Sequence, residues 1–503
     1  MAALPGILFQ ADSLVPSSLK QRRVLLAACA TGYVVWKCIR GALRKRRFPK
    51  VKGWPLLGVL PYIKGGKAMV TCAEQWAAEI GSQEGAFEVN IAGKEFVFVC
   101  SWDVAKPVFD ARPYKVGRTV LFRRLADEVN GVFMAEGSKW RRHRQLVAPA
   151  FHSRAMQNYV PAVKTIVAKF VQNLADLAGE PGTPKVNLSQ LCPRLTSSIL
   201  ISTLSGEMVE AFTDASLAHA PLVSQVDKFF TAIMARMYAP VEYWKLPGIG
   251  AWFPHCKEIT RMNALIADLI ERTMAKGLSG TTLLDKLTEA HEGDKLSKDE
   301  LIGNVGTLFA AGTDTTASTL VWAFYELSMQ PELQEELARE ARAVLPQGLN
   351  TMEQLEQLTL AKAVWWESMR LHTPAPFMAF TLNVEVEVAG RLLPPGTNVS
   401  MLNRYMINNS EEMRALGSDL DVWRPKRWLD GAGGLKKVAM ADLFFGHGAR
   451  TCVGKMLAIL EGVCTIAEVC RHFRIAKCAY AVHEVQNFTS TAEPDVVLSM
   501  EPR

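Results

Sequence analysis

From Ser297 to Met329 the sequence carries one helical pattern of about thirty residues, and no other stretch constrains the possible folds as strongly. Ser297-Lys298-Asp299-Glu300 has the form of a capping box, and Pro331 marks the stop. At 1.5 Å per residue such a helix runs about 45 Å, enough to cross a whole domain. Its interior holds Ala310-Ala311-Gly312-Thr313-Asp314-Thr315-Thr316. Glycine inside a helix costs ~1 kcal/mol relative to alanine, and a charge flanked by hydroxyls in an apolar helix needs a partner. Threonine hydroxyls bonding back to the preceding turn give a purely structural account of this run. Chemistry at Asp314 and Thr315 is the other account.

A second run bears on that choice: Phe445-Gly446-His447-Gly448-Ala449-Arg450-Thr451-Cys452-Val453-Gly454. Met456, Leu457, Ile459 and Leu460 begin a helical pattern just after it. A cysteine at a helix N-terminus lies where backbone N–H groups and the dipole favour its thiolate. Gly448 and Gly454 permit tight turning and close approach of a flat ligand. Arg450 offers a planar fork of donors to a carboxylate on that ligand. Thiolate, flat partner and carboxylate clamp together point to haem held through sulfur. A lone cysteine is otherwise a small buried hydrophobe. His447 has no assigned role beyond packing or solvent contact.

The pattern F-x-x-G-x-R-x-C-x-G resembles the haem-binding signature of the cytochrome P-450 superfamily at Phe445, Gly448, Arg450, Cys452 and Gly454. The resemblance implies haem b (iron protoporphyrin IX) with Cys452 as the axial metal ligand. Ala311-Gly312-Thr313-Asp314-Thr315-Thr316 resembles the family's A-G-x-D-T-T run. There the small residues, here Ala311 and Gly312, leave room above the haem, and Asp314 (proton-relay acid) with Thr315 (hydroxyl) serve the bound oxygen. Trp140 and Arg144 share a helix face and resemble the W-x-x-x-R pair that binds a haem propionate. Arg141 and Arg142 face elsewhere and suit an acidic partner. Glu367-Ser368-Met369-Arg370 resembles the E-x-x-R motif, and Pro425-Lys426-Arg427 its P-x-R partner, which makes Glu367, Arg370 and Arg427 a structural network. Pro394-Pro395-Gly396-Thr397 resembles the P-x-G-T turn. One departure stands out. Where the family often supplies a further propionate-binding arginine, this chain has Phe380, which leaves the second propionate's partner open.

The implied fold is mainly α with a minor β region (α+β), the cytochrome P-450 fold, preceded by one transmembrane helix. Alternation in Phe87–Ile91 and Glu95–Val99 reads as a β-hairpin, and short strands return near Val384–Val388. The expected division is a tail (1–23), a membrane anchor (24–43), a basic Pro/Gly hinge (44–58) and a catalytic domain (59–503). Residues 24–39 are apolar apart from Lys37 and cover about 24 Å as a helix, so Lys37 and Arg40 must snorkel for the segment to reach Leu43 and span the membrane. The net charge of +7 is concentrated here: residues 1–52 hold eleven Lys/Arg against Asp12 alone, which leaves the remainder at −3. That distribution argues against nucleic acid as a partner. It also predicts a cytosolic catalytic domain on the endoplasmic reticulum membrane. An Arg-rich presequence for a mitochondrial or plastid membrane is the alternative. Ten cysteines without C-x-x-C pairs indicate neither a disulfide framework nor zinc.

The resemblance implies a monooxygenase that inserts one atom of O2 into a hydrophobic substrate. The residues around Gly131–His152 lean toward fatty acid or another lipid. No G-x-G-x-x-G or P-loop pattern is present, so electrons must come from a partner; the resemblance implies NADPH-derived electrons from NADPH-cytochrome P-450 reductase, with cytochrome b5 as a second donor. A haem-thiolate lipid-hydroperoxide isomerase or lyase, a sterol-oxidising monooxygenase and a non-catalytic haem-binding or sensor protein are the rivals.

Overall fold

The computed structural model describes residues 47–503 except 55–56, 64–68, 82, 92, 120–121, 123–129, 179–184, 240–241, 247, 249–251, 278–281, 294 and 487–488. The expected tail and anchor therefore lie outside the described residues. Among the described residues no helix is long and apolar enough to cross a membrane.

Helices dominate. The ones that build the site are α1 (Gly137–Val147), α2 (Ser153–Ala178), α3 (Leu188–Ser205), α4 (Pro221–Tyr238), α5 (Pro254–Ala275), α6 (Lys298–Ser328), α7 (Thr359–Leu371) and α8 (Lys455–His472). The central helix α6 starts at the expected capping box: Ser297 Oγ accepts from Glu300 N, while a Glu300 carboxylate oxygen accepts from Ser297 N. It packs against α3, α5, α7 and α8. Leu320, Ala323, Phe324 and Leu327 are wholly buried within the main core.

The minor region is a five-stranded sheet of β1 (Ala86–Ile91), β2 (Lys94–Val99), β3 (Val116–Arg118), β4 (Met378–Leu382) and β5 (Asn398–Met401), in the order β1-β2-β5-β4-β3. The β1–β2 hairpin falls where alternation places it, and the strand expected near Val384 is Val386–Val388, paired with Arg391–Leu393. A late hairpin, β6 (His483–Gln486) with β7 (Ser490–Glu493), turns back toward α6.

The described part of the Pro/Gly segment is docked along the sheet rather than loose. Val51 N donates to Glu88 O at 3.0 Å and Val59 N to Asn90 O at 2.9 Å, with Phe48, Val51 and Val59 buried. Gly58 makes this possible at φ +60°, since a Cβ there would stand 1.9 Å from Asn90 O.

Candidate functional site

Cys452 sits at the entrance to α8, as its place before an amphipathic run predicts. Its amide donates to Phe445 O at 2.7 Å, which closes the loop. The turning is done by Gly446 (φ +80°) and Gly448 (φ +73°), not by Gly454. Gly454 has an ordinary φ of −85°, and a Cβ on it would stand 4.0 Å from the Cys452 sulfur, so its smallness keeps the space beside that atom clear. The thiol keeps accessible surface although protein surrounds it. Burial pushes its pKa up, while N–H groups of Gly454 and Lys455 and the charges of Arg144 and Lys455 pull it down without winning. A cation bound at the sulfur would favour its thiolate further.

Trp140 and Arg144 share a face of α1. The Arg450 guanidinium lies 4.8 Å from the centre of the Trp140 ring, and its Nη2 donates to Ala135 O at 2.5 Å. Arg144 is close enough to act electrostatically on both Cys452 and Arg450. Phe445 meets Trp366 edge-on at 6.0 Å, which buttresses the loop. His447 Nε2 is 3.0 Å from Asp110 Oδ1, and its ring stands edge-on to Trp102 at 5.0 Å, so it tethers the loop to the helix Trp102–Asp110.

The position without an arginine is answered from the neighbouring strand. Arg118 on β3 is the cross-strand partner of Phe380 on β4. Arg112 spreads its guanidinium over the Phe380 ring at 4.1 Å. Arg118 stacks on Phe133 at 3.8 Å and donates to Phe133 O at 2.9 Å. Arg112, Arg118 and Arg450 thus converge, with Glu136 as the carboxylate acting on all three. Burial and mutual repulsion pull Arg112 down to about 9 and Arg118 well below its ordinary value. Burial first, then Arg144, takes Arg450 down to about 10 against the pull of Glu136. Among the described residues the buried Nε atoms of Arg112 and Arg450 have no partner. Buried cations held together with unspent donors form a site for an anionic group. Arg112 and Arg118 escaped the sequence reading because they lie outside the recognised motifs; the arginine missing at position 380 was the only pointer to them.

On α6, Ala311 keeps accessible surface although Leu308 and Phe309 beside it are buried. Gly312 does not share that face. A Cβ there would meet Leu200 Cδ1 at 2.9 Å, so this glycine lets α3 approach α6 rather than clearing room for a ligand. Thr315 Oγ1 donates back to Ala311 O at 2.9 Å. Asp314 turns elsewhere and accepts from Thr489 Oγ1 at 2.5 Å. Acid and alcohol are neighbours in sequence with separate partners. Burial pushes the Asp314 carboxyl up to about 6; the Thr489 bond lowers it and Asp227 on α4 raises it further.

Behind the loop, Glu367 accepts from Arg370 Nε (2.9 Å) and Nη2 (2.8 Å), Arg427 Nε (2.9 Å), Trp428 Nε1 (2.8 Å) and Arg424 N (2.8 Å). Burial pushes its carboxyl up, but these donors outweigh burial and leave it below the ordinary range. The Glu367, Arg370 and Arg427 side chains are fully buried. A carboxylate saturated by five donors has no lone pair left for catalysis and acts as a brace. Arg142 pairs with Glu300 at the start of α6, and both Arg141 and Arg142 are exposed.

A family model described as cytochrome P-450 matches residues 49–498. The 1,25-dihydroxyvitamin D(3) 24-hydroxylase, mitochondrial, of Mus musculus is 28% identical over 82% of this chain and 80% of its own length. Cytochrome P-450 4d2 of Drosophila melanogaster is 25% identical over 74% of the chain and 78% of its own. An 11-oxo-beta-amyrin 30-oxidase of Glycyrrhiza uralensis is 25% identical over 74% and 70%.

Proposed function

The chain belongs to the cytochrome P-450 family, and from that premise we propose that it hydroxylates a hydrophobic lipid at the space between Cys452 and Ala311. Members are haem-thiolate monooxygenases that hold haem b through a cysteine and take electrons from a redox partner. The residues present fit such a group. Cys452 offers an accessible sulfur deep in the protein, and Arg112 and Arg450 offer donors unspent within it. The observation that carries the reading is an accessible cysteine thiol within electrostatic reach of Arg144, which in turn acts on Arg450 of the guanidinium cluster.

In the proposed assignment Cys452 holds the iron, and Arg450, Trp140 and Arg144 secure one carboxylate of the ring while Arg112 and Arg118 secure the other. The loop residues Phe445, Gly448 and Gly454 shape the sulfur's surroundings. Bound haem supplies activation of O2 and transfer of one of its atoms. Asp314 carries protons toward that centre and Thr315 holds a hydroxyl beside it, while the apolar walls keep bulk water away. A carboxyl poised near 6 suits this work, because it gives up and regains a proton readily near neutral pH.

The substrate class we favour is fatty acid or another long lipid. A second reading, a fused-ring or isoprenoid lipid, is supported by relatives named for dihydroxyvitamin D(3) and 11-oxo-beta-amyrin. Spectral titration of purified protein with fatty acids, secosteroids and triterpenoids separates the two. Loss of the thiolate-type carbonyl band in Cys452→Ser tests the ligand. Substrate-dependent NADPH consumption tests the monooxygenase against a lyase or a mere haem binder. We further propose a tail (1–23), an anchor (24–43), a basic segment (44–58) and a catalytic domain (59–503), with the anchor in the endoplasmic reticulum membrane and NADPH-cytochrome P-450 reductase as donor. Relatives named as mitochondrial make the alternative concrete. Reconstitution with the membrane flavoprotein or with a soluble iron–sulfur donor decides between them.

A further inference from the structure

The turn of the β6–β7 hairpin is fastened to α6 at two places one helical turn apart. Thr489 Oγ1 donates to Asp314 Oδ2 at 2.5 Å, and Ser318 Oγ donates to Ser490 O. A third tie, Ser490 N to Pro374 O at 3.0 Å, fixes the same turn to the segment that follows α7. Thr489 is 2% exposed, so its hydroxyl has no solvent to fall back on. Its bond to Asp314 is charge-assisted while the carboxyl is ionised, and weaker once the carboxyl is protonated. Such a bond fixes the carboxyl's rotamer as well as its affinity for protons.

We propose that Thr489 is the positioning residue of the proton donor: from the hairpin turn its hydroxyl sets where the Asp314 carboxyl points and how readily it takes up a proton. This rests on reading Asp314 as the proton-carrying acid. Among the described residues the charged group acting on Asp314 is Asp227 of α4, itself pushed up by burial and pulled down by Arg194 of α3. Glu461 of α8 faces Thr316, two residues further along α6. The one cation among them, Arg194, acts on Asp227 and not on Asp314, so among the described residues the Thr489 hydroxyl is the group that stabilises the carboxylate. Removing it leaves burial and Asp227 unopposed, and the pKa rises.

The test uses haem-loaded enzyme with its reductase. The infrared band of the protonated Asp314 carboxyl, identified by its loss in Asp314→Asn, is followed against pH together with the share of NADPH electrons lost to peroxide. Thr489→Val keeps the volume and removes the hydroxyl; the infrared midpoint moves up by about one pH unit, the effect of one charge-assisted bond, and peroxide rises several-fold. Thr489→Ser restores both. Ser318→Ala, which loosens the hairpin without touching the acid, leaves the midpoint in place. If Val fails to fold, Thr489→Ala serves in its stead. An unmoved midpoint in the variant lacking the hydroxyl overturns the proposal, as does an equal shift in Ser318→Ala. Unchanged coupling in Asp314→Asn would instead overturn the reading of Asp314 itself, whatever Thr489 does.

Discussion

Phe380 and Arg118 stand opposite each other on adjacent strands, so a guanidinium lies beside the position where the sequence lacks one. A guanidinium on β4 is replaced by one on β3 and another stacked over the ring that took its place. Aromatic faces attract guanidinium groups, so Phe380 helps hold Arg112 rather than merely filling space. Arg112→Leu should release haem about tenfold faster to a haem acceptor, corresponding to roughly 1.5 kcal/mol for one charged hydrogen bond. The same change should leave the haem-free protein as stable or more so, because it relieves repulsion with Arg118 and Arg450. Equal destabilisation of both forms would mean that Arg112 is only a packing residue. Sequence could expose the gap at 380 but not its remedy, since strand pairing between residues 118 and 380 is a tertiary fact with no local signature.

Along α6, neighbouring residues divide between structure and chemistry. Thr313 is buried against α3, where Thr196 donates to its carbonyl at 2.9 Å and Ser197 to its hydroxyl at 3.3 Å. Thr313→Ala should cost about 1–2 kcal/mol in denaturant melts and leave coupling alone. Thr315→Ala should do the reverse, with stability nearly kept and NADPH diverted to peroxide; full coupling in that variant would remove Thr315 from the proton path. The helix itself was legible, cap to stop, because its boundaries rest on local chemistry. Which side Gly312 faces was not, because that depends on the approach of Leu200 from another element. The Asp314–Thr489 bond was equally hidden, its partners being 175 residues apart.

Across the whole molecule, Trp140, Arg144, Arg450 and Cys452 lie together while Gly312 and Asp314 turn to other partners, and the groups that tune them come from unmarked positions. Glu461 is a case outside any motif: it is 1% exposed on α8, and burial pushes its carboxyl up to about 8. Its folded pKa lies above its unfolded value near 4.3, so the folded state holds an extra proton between them. Stability is therefore full below about 4.3 and falls as pH rises through 8. Glu461→Gln should raise the melting temperature at pH 9 and change little at pH 4; no pH dependence to the difference would count against a buried, protonated Glu461. Glu367→Gln, by contrast, should cost about 3–5 kcal/mol near neutral pH, since it unpairs Arg370 and Arg427 in the interior. The guanidinium cluster also bears on how the molecule comes to be assembled. Arg450 reaches back across 315 residues to Ala135, and Arg118 across the sheet to a strand that starts at Met378. No nascent chain short of the Cys452 loop can complete this ring of positive charge. Glu136 offsets part of the repulsion among its members, and a further anion would offset more. An anionic cofactor would ease that repulsion, so haem-loaded protein should melt above the haem-free chain, and by less in Arg112→Leu.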